Sequence, residues 1–358
     1  MKKICFNLLA GYILSLFFTS NLFATDFKKA DELFEKGTFQ AALAEYDQIV
    51  SQSKNSHEAF KAFYRGCESL SHLYRYGEAV ERIRQYKGNP EGHDRHRLLT
   101  LKAEILRNFL LQYGGYQRSD VIDVPGKEVF RLTPKEIKQE ISDSYAQLFD
   151  SREELVKFPL QDEAYFLDLE KIDFGKYPTF LDYAVESWLG HLRQYVYDQN
   201  PENKAPNPEA TALLADDFTQ PLQFNDPSGL LAAELIETLV RLHGEQNIEA
   251  RERLKIVRLL LPVGQNFLYT FPKDKNYFDY ALQAKDVLMR WAQDFKNPEA
   301  KAEALYQAAN LFYFQLYNKV EQREKRPMIY ACVSRTNSLN PKQSRVLRNC
   351  VSRSNCRY

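Results

Sequence analysis

The stretch Gly37-Thr-Phe-Gln-Ala-Ala-Leu-Ala-Glu-Tyr-Asp-Gln-Ile-Val50 decides how this chain is read. It has a near-echo in Tyr74-Arg-Tyr-Gly-Glu-Ala-Val-Glu-Arg-Ile-Arg-Gln-Tyr86. Phe39 aligns with Tyr76, Ala42 with Ala79, Leu43 with Val80 and Tyr46 with Ile83, each at an offset of 37 residues. A period near that length is the signature of stacked helical hairpins. In the first copy Phe39, Ala42, Leu43, Tyr46, Ile49 and Val50 recur at helical spacing and make one apolar stripe. Upstream, Phe27, Ala30, Leu33 and Phe34 do the same. Gly37 lies between the two runs, where a tight helix–helix turn is needed. Ala42 is small where the helices must approach closely, and bulky residues flank it.

A turn glycine, an aromatic two residues on, and Ala-Leu three and four beyond that resembles the tetratricopeptide pattern. Tyr74 stands at the glycine position of the second unit, a departure from the pattern. The resemblance implies an all-α fold of stacked antiparallel helical hairpins, a tetratricopeptide-like α-solenoid. Such stacks expose a continuous surface that can present side chains to a protein or peptide.

Residues 1–24 stand apart from that fold. Lys2 and Lys3 precede an apolar run, Ile4 to Phe18, and Ala24 comes before Thr25-Asp26. This is the form of a secretory signal peptide cleaved after Ala24. The run falls short of the ~20 residues that a membrane span needs. The expected location is therefore periplasmic or secreted, with no stable span after cleavage.

From Thr25 to Tyr113 the pattern gives about five helices, the tetratricopeptide-like region. The fifth carries Leu98, Leu101, Ile105, Phe109 and Tyr113 as the first helix of a third unit, and Gly114-Gly115 stops the chain before a second one. Residues 114–228 read as a helical middle region with long loops. Val121, Ile122 and Val124 against Val129, Phe130 and Leu132 fit either a small hairpin or an irregular loop. Thr133-Pro-Lys-Glu136 opens the next helix as a capping box with proline at its first position. Pro178 is expected to start another, with Leu181, Ala184, Val185, Trp188, Leu192 and Tyr195 inward. The five prolines between Asn200 and Ser228 mark a long loop. Residues 229–322 form a helical C-terminal region. Leu231, Leu235, Leu239 and Leu242 line one helix, Tyr277, Tyr280, Ala284, Val287 and Trp291 another. Asn297-Pro298 then opens a last one with Ala302, Leu305, Phe312 and Leu316 inward.

The run Tyr177-Pro-Thr-Phe-Leu-Asp-Tyr183 carries a second resemblance. It is similar to the helical N-terminal region of large bacterial alpha-2-macroglobulin-like proteins, over roughly Thr25 to Asn349. Asn340-Pro-Lys-Gln-Ser344 and Asn349-Cys350 loosely fit the segment that follows in that family. The resemblance implies a truncated member. The family's thioester pattern, Cys-x-Glu-Gln, is absent, so such a member could not trap proteases covalently.

Charge is unevenly spread. The whole chain holds 48 basic and 48 acidic residues. Nine of the basic ones, but only one acid, lie in the tail from Arg323 to Tyr358, and two more basic ones lie in the leader. The body is thus acidic, which argues against nucleic acid as its partner. The irregular basic tail, residues 323–358, also holds Cys332, Cys350 and Cys356; the fourth mature cysteine, Cys67, sits on a helix face as a small hydrophobe. In an oxidising compartment two tail cysteines can pair, and the sequence does not choose which. The tail is alternatively a patch for an anionic surface.

No catalytic, cofactor-binding or metal-binding residue is assigned. Gly-x-Ser-x-Gly, phosphate-loop and His-Glu-x-x-His patterns do not occur. Ser51-Gln-Ser-Lys54 matches Ser-x-x-Lys at a helix end without companion motifs, and His93 and His96 read as a solvated helix start. Asp162-Glu163 and Asp168 with Glu170 are acidic neighbours expected to solvate a helix surface; a cell-envelope hydrolase using them is the rival reading. The leading expectation is a non-enzymatic exported protein that binds a protein or peptide through the first helix of each hairpin. The spacing singles out no contact residue there, Tyr64 and Tyr74 included.

Overall fold

The two echoing stretches make the same turn. In the computed structural model of the chain, Gly37 has φ +73°. Its N–H donates to Phe34 O at 2.9 Å and that of Thr38 to Leu33 O at 2.9 Å, the two bonds of a Schellman motif. Tyr74 has φ +60°, its N–H donates to Ser71 O at 3.0 Å, and that of Arg75 to Leu70 O at 2.9 Å. Every donor and acceptor is displaced by the same 37 residues. Tyr74 departs from the pattern in side chain only; its backbone keeps the left-handed conformation that glycine adopts without penalty.

The structure describes residues 27–53, 55–87, 92–113, 132–195, 214, 227–261 and 275–312. The expected signal peptide, almost all of the segment 119–132, most of the loop 200–228 and the basic tail with Cys332, Cys350 and Cys356 lie outside them. Among the described residues the regular structure is helical and no strand is present; one isolated antiparallel bridge joins Pro159 and Thr179. Contacts divide the chain into two units.

The first unit comprises the described residues up to Ser151 together with Glu163–Asp168. Its helices are α1 (27–35), α2 (Phe39–Gln52), α3 (Ser56–His72), α4 (Tyr76–Arg84), α5 (Asp94–Tyr113) and α6 (Pro134–Asp150). Consecutive helices pack on one another, and the first helices α3 and α5 also touch. Ala30 of α1, Ala42 and Tyr46 of α2 and Ala62 of α3 form one buried cluster, with Phe27, Leu33, Phe34, Ile49 and Val50 against it. The alanines sit where the backbones come closest, as expected from Ala42. Cys67 is buried on α3, also as expected. The third unit differs from its reading. It does not lack a second helix: α6 packs on α5. The repeat's tight turn is replaced there by the connection 114–131, which hides the pairing from a periodic reading. Thr133 and Glu136 cap α6 reciprocally, with Pro134 at its start.

The second unit comprises Arg152–Asp162 and the described residues from Leu169 onward. It holds α7 (Arg152–Leu155), α8 (Phe180–Tyr195), α9 (Pro227–His243), α10 (Ile248–Leu260), α11 (Lys275–Asp294) and α12 (Pro298–Leu311). Pro178 does not start α8. Its carbonyl accepts from Leu160 N–H at 2.9 Å, and Phe180 N–H donates to Phe158 O at 3.0 Å. The bridge holds Pro178 extended, so the helix begins after Thr179, whose N–H donates to Asp182 Oδ2 at 2.9 Å. The inward stripe of α12 is also different. Ala300, Ala304, Ala308 and Leu311 are buried, while Ala302, Leu305 and Phe312 are half-buried. Similarly, Leu235 and Leu239 of α9 are buried, whereas Leu231 and Leu242 are half-buried. In both helices the closest packing falls on small or neighbouring residues that a reading by bulk passes over. Buried charged groups fix the unit further. Arg258, almost fully buried on α10, grips Glu237 of α9 at 2.6 Å, and Glu252 accepts from the N–H groups of Lys296 and Asn297 before α12, both at 2.9 Å.

Candidate functional site

The first helices of the hairpins are where a partner was expected, and within the first unit they converge on one short segment, Glu163-Ala-Tyr-Phe-Leu-Asp168. Helical spacing on α3 puts Phe60 and Tyr64 one turn apart, and Lys61 and Arg65 beside them. Asn55 caps this helix through the N–H groups of His57 and Glu58. The segment itself is a tight turn: the N–H groups of Phe166 and Leu167 both donate to Glu163 O, at 2.8 and 3.0 Å.

Three side chains of that turn, Glu163, Tyr165 and Phe166, have matched receivers. Arg97 of α5 donates from Nε and Nη2 to the two oxygens of Glu163, at 2.7 and 2.8 Å, and from Nη1 to Asp94 at 2.9 Å. Burial works against the charge of Arg97, but the hydrogen bonds and charge of Glu163 outweigh it and hold the guanidinium above its ordinary range. The guanidinium also lies 4.1 Å over the ring of Phe166. Phe166 packs edge-on to Tyr64 at 5.1 Å and against Phe60 at 5.8 Å, and Tyr64 Oη donates to Phe166 O at 2.6 Å. Tyr165 lies under Arg65 and Lys61, each 4.7 Å from its ring centre. Its hydroxyl donates to Asp31 of α1 at 3.3 Å, and the same carboxylate oxygen accepts from Tyr46 at 2.7 Å. Burial raises the Tyr165 hydroxyl, and the Asp31 charge adds to this, so it stays protonated and a donor. The arrangement reads one carboxylate, two aromatic rings and one backbone carbonyl.

One of the acidic neighbours departs from its expectation. Glu163 does not solvate a helix surface; it is buried and clasped by Arg97. Asp162, Asp168 and Glu170 are exposed. The rings of His93 and His96 stack with centres 6.0 Å apart at the start of α5, and His96 is buried rather than solvated. Among the described residues no cluster of three or more His, Cys, Asp or Glu side chains is placed to hold a metal ion. Ser51 lies at the end of α2 as expected, with Lys54 outside the described residues. Tyr64 belongs to the convergent site, while Tyr74 is exposed at its turn. Arg97, Arg65, Lys61, Tyr165 and Phe166 carried no periodic signal. The pairs they form span up to 134 residues of sequence; the available signal was the acid–aromatic run itself, with Arg65 and Arg97 as opposite charges on two first helices.

Fold and site define an all-α protein of helical hairpins, and in its first unit α1, α3 and α5 share contacts with one short segment. No protein-family model matches the sequence, and no curated protein matches it. Among solved structures, the S. pombe nuclear import adaptor Nro1 aligns over 88% of this chain and 97% of its own, at 13% identity and a TM-score of 0.29. So slight a likeness carries no argument about function. Among the described residues no helix is long and apolar enough to cross a membrane.

Proposed function

We propose that this is an exported, non-enzymatic helical-repeat protein that binds another protein or peptide through the first helices of its N-terminal hairpins. The observation that carries the reading is the pair of equivalent turns at Gly37 and Tyr74, which repeat bond for bond after 37 residues. A duplicated hairpin places like faces side by side, and such faces suit recognition of an extended or turn-like segment. The tetratricopeptide-like character belongs to this proposal. So does the likeness to the helical N-terminal part of bacterial alpha-2-macroglobulin-like proteins, without their thioester.

Cell fractionation of the tagged chain tests the compartment, and pull-down from periplasmic extract tests the binding. The expected result is release with the periplasmic fraction and recovery of one specific protein. An activity on envelope material that vanishes when Glu163 or Asp168 is changed would replace this reading with that of a hydrolase.

A further inference from the structure

The surface shared by α1, α3 and α5 already holds an occupant. We propose that it is a receptor for acid–aromatic peptides of the pattern Glu-x-Tyr-Phe, and that Glu163–Asp168 is a built-in copy of that ligand which a partner displaces. The inference rests on the binding role proposed above and adds the chemistry of the ligand.

The recognition is side chain by side chain. A bidentate guanidinium–carboxylate pair fixes one end in direction as well as charge. Arg97 supplies it for Glu163. Three residues on, Phe166 fills the space between Phe60 and Tyr64 and is nearly fully buried. Between them Tyr165 lies beneath two cations and reaches Asp31. The Tyr64 hydroxyl reads a main-chain carbonyl, a contact any peptide provides. The acid is thus read by α5, and the aromatic rings and the backbone carbonyl chiefly by α3, with α1 reaching the Tyr165 hydroxyl. Directional charge pairing, an aromatic slot and a main-chain reader together are the contacts a peptide receptor uses. The segment is short and its backbone bonds close within its own turn, so among the described residues no ladder of main-chain bonds holds it to the helices.

A tethered ligand competes at roughly millimolar effective concentration. A free peptide of the same chemistry therefore meets a mostly occupied site, and its apparent affinity falls by the vacant fraction. Removing the tethered copy restores that affinity.

The probe is a fluorescein-labelled synthetic peptide copying Gln161–Leu169, titrated against the full chain by anisotropy. The Glu163→Ala/Phe166→Ala chain is expected to bind it about tenfold more tightly than the unaltered chain, or better. Adding Arg97→Ala should abolish that gain, and a peptide with alanine at the Glu or Phe position should not bind. Circular dichroism checks that the helices persist. If the double variant does not fold, hydrogen exchange on the unaltered chain decides: saturating peptide should speed exchange at the Phe166 and Leu167 amides. Equal binding by both chains, a gain that survives Arg97→Ala, or exchange unchanged by peptide overturns the inference. A partner recovered from the periplasm alongside any of those results leaves the binding role standing and removes only its ligand.

Discussion

Asp182 of α8 places Oδ1 2.8 Å from Nε2 of His243, the last residue of α9, and both side chains are buried. The other oxygen, Oδ2, is taken by the N–H and hydroxyl of Thr179, at 2.9 and 2.7 Å. One carboxylate therefore caps its own helix and ties down the end of the next. Removing it leaves three buried polar groups without this partner, which costs about 3 kcal/mol. Asp182→Ala should lower the unfolding free energy in urea by that amount. Asp182→Ala and His243→Ala together should lose about 1 kcal/mol less than the sum of the single changes, because they remove one shared interaction. Strict additivity would deny the link.

Tyr74 stores strain. A left-handed conformation costs a residue with a Cβ about 1–2 kcal/mol. Glycine removes that cost but gains entropy in the unfolded chain, about 0.4–1 kcal/mol in the opposite direction. The ring is mostly exposed and its edge contact with Tyr76 is long, at 6.1 Å between centres. Tyr74→Gly should therefore stabilise the chain by about 0.5–1 kcal/mol. Gly37→Ala should destabilise it by about 1–2 kcal/mol through φ alone, since the nearest atom to an added Cβ, on Phe39, is 4.0 Å away. Thermal unfolding of the two variants reads both signs, and a lower midpoint for Tyr74→Gly would contradict the strain.

Cys67 is fully buried on α3, and burial pushes its thiol up to about 12, against the opposing charge of Arg82. The thiolate is the reactive form. Iodoacetamide at pH 8 should leave Cys67 unlabelled in the folded chain and modify it once denaturant is added, as mass spectrometry would show. An unfolded thiol ionises near ~8.5. The folded chain thus holds its proton longer, so this group's contribution is complete below that pH and is lost as pH rises toward 12.

The alanines of α12 recur every four residues, at 300, 304 and 308, and all are buried against the cluster that includes Trp291 and Leu288. Close approach leaves no room for bulk. Ala304→Leu should cost about 1–3 kcal/mol by overpacking, whereas exposed Glu299→Gln should be near neutral. Comparison of the two urea midpoints checks this.

Much of the fold was legible because its signals are local. The stripe through Phe39, Ala42 and Tyr46, the cap at Thr133 and the start at Asn297-Pro298 each depend on residues within a turn or two. Pro178 misled because a contact with Leu160, eighteen positions earlier, keeps it extended. The α12 stripe misled because bulk was taken as the mark of burial, while close backbones select for alanine. The convergent site was least legible. Glu163 and Arg97 are 66 residues apart, and neither residue's role follows from its own neighbours.

Position-resolved photocrosslinking in the native cell envelope tests the binding account most directly. A photoreactive amino acid replaces Lys61, on the shared face of α3, or Glu78, on the second helix α4. Position 61 is predicted to attach to one envelope protein, through a peptide that carries a carboxylate beside an aromatic residue, and position 78 is predicted to give no such product. Attachment from 78 alone, or from neither position, would contradict the claim that the first helices bind a partner.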